Sequence, residues 1–217
     1  MECDNMTDFR VNDIGDEKMG LRFYLFFKRA MDIVGSLIGL ILLSPIFLIV
    51  AIAVKLDSKG PIIFGHTRKG MGGKDIKVYK FRTMYQNSQE IFDNFTEEQK
   101  EEFYKNFKLE NDPRVTKVGD FLRRTSLDEL PQLINILNGT MSIVGPRPIV
   151  EKEVALYAEY APKLFSVVPG LTGYWQAHGR SDTTYEERIK MDMYYIDNRS
   201  LWLDLKIIFK TFGSVIR

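Results

Sequence analysis

The sequence predicts a helix-dominated α/β protein, in which a small domain of catalytic size with a short β-hairpin is joined to an N-terminal membrane helix broken at Ser44-Pro45. Three observations lead to this class. Ile33 to Val54 is one uncharged apolar run, IVGSLIGLILLSPIFLIVAIAV, close to the roughly 20 residues that a straight helix needs to span a hydrocarbon core. Pro61-Ile62-Ile63-Phe64 and Ile76 to Phe81 are short β-prone segments around the Gly-rich turn Lys69 to Lys74, which is a hairpin pattern. Much of the remainder carries helical periodicity.

In chain order, residues 1–20 are polar and rich in Asp and Asn, and are expected to form a mobile tail. Residues 21–56 form the membrane segment, with Phe23, Tyr24, Phe26 and Phe27 suited to the lipid–water boundary. No small-residue cleavage site follows the apolar run, so it is read as retained. Leu21 to Val54 reads as one helical unit disturbed by Pro45. Proline removes an amide donor and presses its ring on the carbonyl four residues back, Ile41, at a cost of about 3 kcal/mol. In lipid that carbonyl must be satisfied by Ser44 or by a sharp bend. Lys28 and Arg29 precede the run, and Lys55, Lys59, Arg68 and Lys69 follow it, so the basic flanks select no orientation. A re-entrant hairpin, each half of about 11 residues reaching some 17 Å, and a kinked spanning helix stand level on these residues.

Residues 57–217 form the domain. Its Gly-rich turn is either a plain hairpin turn or a phosphate cradle. Asn87 to Lys108, with Ile91, Phe92, Phe95, Phe103 and Phe107 among charges, predicts one or two amphipathic helices. Asn111-Asp112-Pro113 marks a turn, and Val118 to Leu137 is helical with an interruption at Ser126 to Pro131. Ser181 or Asp182 is the expected cap of a helix running toward Tyr195. A last helix, Leu201 to Val215, carries a broad apolar face of Leu201, Trp202, Leu205, Ile208, Phe209 and Phe212, which suits either a membrane surface or the domain's own core.

Composition excludes several functions. With 30 basic and 29 acidic residues the formal charge is +1, which supplies no general field for nucleic acid. The single Cys3 cannot form an internal disulfide, and with His66 and His178 the only histidines, a Cys/His zinc cluster is ruled out. Any metal would be a hard cation held by carboxylates and phosphate oxygens.

Four segments carry candidate chemistry. In Ser126-Leu127-Asp128-Glu129-Leu130-Pro131-Gln132-Leu133, preceded by Arg123 and Arg124, adjacent carboxylates lie beside arginines. Pro131 belongs in a helix's first turn, so Asp128 falls at or near the cap, where it either only caps or does chemistry. In Gly145-Pro146-Arg147-Pro148 the prolines restrict the backbone around a guanidinium suited to phosphate. In Tyr79-Lys80-Phe81-Arg82, alternation places Lys80 and Arg82 on one strand face. In Pro169-Gly170-Leu171-Thr172-Gly173-Tyr174-Trp175-Gln176, followed by Arg180, the aromatic and amide groups can stack on or bond to a base or sugar, or simply pack as a loop.

From Phe26 onward the chain resembles the bacterial sugar transferase family, the small membrane-bound polyprenyl-phosphate phosphoglycosyltransferases. The resemblance rests on Lys28-Arg29 before Ser44-Pro45, Tyr79 to Met84, Ser126 to Leu133, Gly145 to Pro148 and Pro169 to Gly173. It implies transfer of a sugar-1-phosphate from a UDP-sugar to undecaprenyl phosphate, with release of UMP, as the start of surface glycan synthesis. It further implies Asp128 as the nucleophile of a covalent aspartyl phosphosugar, Glu129 as its partner and Mg²⁺ at Asp128. Lys80, Arg82, Arg123, Arg147, Gln176 and Arg180 are the expected substrate-binding residues. By the same resemblance the Ser44-Pro45 helix is re-entrant and the domain lies on the cytoplasmic face of the bacterial inner membrane; a homodimer is compatible with it. The chain is then a short natural form or the catalytic module of a longer one. Gly139-Thr140-Met141-Ser142 departs from the Gly-Asp-Met-Ser of many relatives, which puts a carboxylate function there in doubt. Gly173 to Gln176 and Leu201 to Asp204 look closer to galactose- or glucose-1-phosphate transferases than to those using modified sugars. The competing class is a catalytically silent membrane scaffold that binds nucleotide sugars.

Overall fold

The computed structural model describes residues 4–106, 109, 111–179 and 183–215. Helices α1 (Asp4–Leu42) and α2 (Ser44–Asp57) lead into strands β1 (Ile63–Lys69) and β2 (Asp75–Phe81), then α3 (Ser88–Asp93), α4 (Glu97–Asn106), α5 (Lys117–Arg124) and α6 (Gln132–Asn138). Strand β3 (Ser142–Val144), α7 (Glu151–Tyr157), α8 (Ala161–Leu164), β4 (Gly170–Thr172), α9 (Tyr174–His178), α10 (Tyr185–Asn198) and α11 (Leu201–Val215) complete it. Helices dominate, as expected.

The helix breaks at Ser44-Pro45 as expected, into two helices. They bend by 63°, with Pro45 in the first turn of α2, where a missing amide is least harmful. The freed carbonyl of Ile41 accepts from Ser44 Oγ at 2.8 Å, so the serine satisfies what the proline leaves open. Among the described residues no single helix is long and apolar enough to cross a membrane, while the bent pair together meets that length and composition. The backbone of residues 4–20, expected as a tail, is helical in α1; Pro45 is the first proline of the chain, and none earlier interrupts the helix.

One face of α1 grips the domain. Lys28 and Arg29 were expected as interfacial flanks, yet both turn inward. Lys28 Nζ lies 2.9 Å from buried Asp204 of α11 and 2.8 Å from the Val144 carbonyl of β3. Arg29 donates to the Ile136 and Leu137 carbonyls at 2.6 and 2.7 Å, in the last turn of α6, where carbonyls lack a full set of helical partners. Asp32, one turn on, accepts from Ser142 Oγ at 3.0 Å and the Ile143 amide at 2.8 Å. Beyond it Gly35 and Gly39 allow close approach, since a Cβ there would stand 2.8 Å from Ile143 Cδ1 and 3.1 Å from Leu133 Cδ1. The opposite surface of the bent pair, including Phe23, Phe26, Ile41, Leu48 and Ile52, is exposed, an apolar area of the kind that marks a membrane or partner contact.

The predicted hairpin forms, with β1 antiparallel to β2 from Ile63↔Phe81 to Lys69↔Asp75. Its first strand begins at Ile63 and runs on through polar His66, Thr67 and Arg68, past the apolar tetrapeptide that signalled it. A second sheet pairs β3 with β4 in parallel, Ser142 opposite Gly170 and Val144 opposite Thr172. It went unpredicted because three-residue strands are too short to show a period of two. Val50, Val54, Phe81 and Leu122 pack α2 against β2 and α5, while Val78, Ile136 and Met141 pack β2 against α6. The largest buried cluster, with Val144, Tyr157, Leu164, Ile189, Tyr195 and Ile207, joins β3 to α7, α8, α10 and α11.

The segment from Asn87 forms two helices, α3 and α4, and the Phe92, Phe95 and Phe103 rings surround the Arg114 guanidinium at 4.8–5.2 Å; Phe107 lies outside the described residues. The cap of α10 is neither Ser181 nor Asp182, which lie outside the described residues, but Thr184, in a capping box with Glu187. Helix α11 has both faces expected of it. Asp204 and Ile207 are fully buried, and Trp202 and Phe209 point outward with 67% and 74% of their surface exposed.

Candidate active site

The site is assembled from the end of β2, the α5–α6 connection, the loop after β3 and the β4–α9 segment. An open cleft of about 460 Å³ is lined by Lys80, Glu129, Gln132, Arg147, Gln176 and Arg68, among others. Residues separated by up to about a hundred positions thus face one space.

Asp128 and Glu129 occupy a short 3₁₀ turn, Leu127–Glu129, introduced by Ser126 in a left-handed conformation (φ 56°). Of the two readings of Asp128, that of a mere helix cap does not hold: Pro131 occupies the N-cap of α6 and no cap side chain bonds at either turn. Asp128 is instead buried, 7% exposed, beside an ammonium. Lys80 Nζ lies 3.7 Å from Asp128 Oδ2 and 2.5 Å from Glu129 Oε1, shared between the two carboxylates. Burial raises the Asp128 pKa above the usual carboxylate range; Lys80 opposes this, Glu129 adds to it, and Arg123 opposes it. A buried carboxylate with a cation on one side and an open cleft nearby is equipped as a nucleophile or as a ligand for a hard cation.

The remaining expected residues divide. Arg147 is exposed on its loop, between buried Pro146 and Pro148, and makes no hydrogen bond or ion pair among the described residues. Gln176 lines the cleft from α9. Arg123 stands beside the pair, with Nε donating to Thr83 Oγ1 at 2.9 Å. Arg82 does not join them. Its guanidinium is buried and donates to the carbonyls of Val54, Ser58 and Pro61 and to Ser58 Oγ, closing the chain's exit from α2. Strand β2 ends at Phe81, so the alternation assumed for Arg82 stops one residue before it. Arg180 lies outside the described residues. At the Gly139-Thr140-Met141-Ser142 departure, the Thr140 hydroxyl exchanges bonds with Asn135, whose side chain in turn fastens β2 through the Tyr79 amide and Lys77 carbonyl. That position is structural here.

Arg68 and Gln132 also line the cleft, although neither stands out in the sequence as a binding residue. The signal for Arg68 was the hairpin register: Phe64, His66 and Arg68 share a face with their partners Lys80, Val78 and Ile76, and that face is the cleft wall. Reading β1 as ending at Phe64 hid it. Gln132 follows the carboxylate pair by one helical turn and is 3% exposed.

A family model described as bacterial sugar transferase matches residues 23–217, which includes every element of the cleft. The chain belongs to the bacterial sugar transferase family. Over 191 residues this family member is 46% identical to the exopolysaccharide production protein ExoY of Rhizobium meliloti, covering 87% of this chain and 84% of that one. It is 47% identical over 195 residues to the undecaprenyl-phosphate galactose phosphotransferase of Salmonella typhimurium, and 46% identical over 193 residues to the UDP-glucose:undecaprenyl-phosphate glucose-1-phosphate transferase of Escherichia coli. Those alignments take in 88% and 85% of this chain but 41% and 39% of the relatives; the chain spans about two fifths of the length of these longer proteins.

Proposed function

We propose that this protein transfers a hexose-1-phosphate, galactose or glucose, from a UDP-sugar to undecaprenyl phosphate and so begins a surface glycan. The carrying observation is Asp128, buried beside Lys80, which with Glu129 and Arg147 lines the adjoining cleft; the names of the relatives supply the substrate class. In the first step an Asp128 oxygen attacks the phosphorus bearing the sugar. The bond from that phosphorus to the bridging oxygen breaks, and UMP leaves with the electron pair. In the second step an oxygen of the lipid phosphate attacks the same phosphorus and releases the Asp128 carboxylate. Splitting the exchange means that two anionic substrates never have to meet in one transition state.

Lys80 neutralises the carboxylate pair and the incoming diphosphate, and Arg123 and Arg147 add the fixed positive charge that phosphoryl transfer requires. Asp128 and Glu129, the two carboxylates that share Lys80, are the residues that would hold Mg²⁺, a hard cation that takes oxygen ligands; no third carboxylate joins them among the described residues. When bound there, the ion would offset diphosphate charge. The bent α1–α2 pair, taken as re-entrant, returns both ends to the cytoplasmic face of the inner membrane. A soluble sugar nucleotide and the phosphate of a buried lipid can meet there. The exposed Trp202 and Phe209 of α11 suit the same interface.

The test is UMP release from UDP-glucose, UDP-galactose and their N-acetyl forms, with undecaprenyl phosphate and Mg²⁺. UMP should appear in step with lipid-linked diphosphosugar for at least one hexose. A folded protein that releases none from the whole panel, while still binding a UDP-sugar, is the silent scaffold instead.

A further inference from the structure

We infer that Arg68 is a substrate-binding residue for the departing nucleotide, and that with Arg147 it holds the phosphate that leaves as UMP. The inference rests on the transfer reaction proposed above and assigns a part of the cleft that the reaction leaves undefined. Arg68 and Lys80 share one face of the hairpin, yet their partners across it, Ile76 for Arg68 and Phe64 for Lys80, spread them along the cleft. Ile76 and Lys80 are four residues apart on β2, roughly 13 Å at 3.3 Å per residue. Lys80 serves the carboxylate pair, and Arg68 stands toward the Arg147 loop, its Nη1 donating to the Pro148 carbonyl at 3.0 Å.

The guanidinium is held and incompletely used. Its Nε donates to His66 Nδ1 at 3.3 Å, and His66, pushed down to about 4 by burial and by the surrounding cations, is neutral and able to accept. Nη1 lies 3.6 Å from Glu153. Nη2 has no hydrogen-bond partner among the described residues, and Arg147 has neither bond nor ion pair there. Burial, and after it the nearby charge of Arg147, lower the pKa of Arg68. Two guanidiniums that repel each other across an open cleft are stabilised by an anion between them, and planar forks suit phosphate.

In-line displacement decides which phosphate this is. The attacking and leaving oxygens lie on opposite sides of the transferred phosphorus. Asp128 enters from the Lys80 end, so the leaving phosphate lies on the far side, toward Arg68 and Arg147. Negative charge grows on that phosphate as UMP departs, and cations placed there act on the first step. In the second step Asp128 is the leaving group, so the lipid phosphate attacks from the position UMP has left and meets the same two guanidiniums.

The experiment uses the full chain in detergent or nanodiscs, with Arg68→Gln and Arg68→Lys. Two quantities are read: UMP affinity, from titration of UMP alone, and single-turnover transfer to undecaprenyl phosphate from enzyme preloaded with phosphosugar and freed of UMP. For Arg68→Gln the inference expects UMP affinity to fall about 10- to 100-fold, as for loss of a charge-assisted contact, and the preloaded transfer to slow as well, because the lipid phosphate enters where UMP left. Arg68→Lys, which keeps the charge but loses the fork, should fall between. If Arg68→Gln proves unstable, Arg68→Lys decides alone by the same two readouts. Wild-type affinity for UMP in the variants, or a preloaded transfer left at the wild-type rate, overturns the inference and leaves the transfer reaction standing. Failure of the wild-type protein to bind UMP overturns both.

Discussion

Replacing Lys28 by Ala should destabilise the protein by about 3 kcal/mol, at the lower end of the 3–5 kcal/mol range for breaking a buried ion pair from one side. Asp204 is fully buried, and its only ammonium partner among the described residues is Lys28, at 2.9 Å. The Tyr24 and Tyr195 hydroxyls would still donate to it, at 3.1 and 2.8 Å, which is why the lower end applies. The Val144 carbonyl would also lose its lysine bond and gain no replacement, since the Tyr195 hydroxyl has one proton and gives it to Asp204. For a chain of this size the loss corresponds to a fall in Tm of roughly 6–12 °C. Thermal unfolding of Lys28→Ala, Asp204→Asn and the double variant gives the coupling between the two sites. The double variant should be little worse than Asp204→Asn alone, because the lysine has no charge left to answer. Additive effects, with coupling below about 0.5 kcal/mol, would refute the pairing and return Lys28 to the role of a surface flank.

Formation of the phosphosugar should fail on acidification at a pH above the usual carboxylate range, because burial raises the Asp128 pKa and only the ionised form attacks. The pH profile of Lys80→Ala should move that limb to still higher pH, and Glu129→Gln should move it lower. Asp192 is fully buried, with Oδ2 accepting from Tyr157 and Oδ1 unpaired, and burial pushes its pKa up to about 7. The folded state therefore holds the proton more tightly than the unfolded chain. This contribution is complete below the ordinary carboxylate range and is lost as pH rises through about 7. The stability of Asp192→Asn relative to wild type should accordingly improve between pH 5 and pH 8 by a few kcal/mol, readable in denaturant melts. Pro45→Ala should favour a straighter α1–α2 helix by about 3 kcal/mol, and cysteines placed at Arg22 and Lys59 should then label from opposite sides of the membrane in part of the population, against one side in wild type.

Elements with a strong local signature were legible in the sequence. The Ser44-Pro45 break, the hairpin turn, α11 and the interruption before Pro131 each depend on residues within a few positions of one another. The convergence of Lys80, Glu129, Arg147 and Gln176 was legible only as an ordered set of motifs, since no local rule brings β2, the α5–α6 turn and α9 together. What stayed hidden depends on tertiary contact. Lys28 and Arg29 look like any basic flank until Asp204 and the end of α6 are placed against them. Arg82 looks like a strand cation until α2 ends beside it. Arg68 needed the strand register, and the β3–β4 pair is too short for periodicity; it forms because Gly145 and Gly170 let two backbones meet, a Cβ on Gly170 falling 2.1 Å from the Gly145 nitrogen.

The most direct measurement is the mass of the protein after incubation with UDP-glucose or UDP-galactose and Mg²⁺, without lipid acceptor. The reading of Asp128 as a nucleophile predicts an added phosphohexose that maps to the peptide containing Asp128, is absent from Asp128→Asn, and disappears when undecaprenyl phosphate is added. A protein that completes the transfer with lipid present yet shows no adduct at any time point, or carries it on another residue, would contradict that reading.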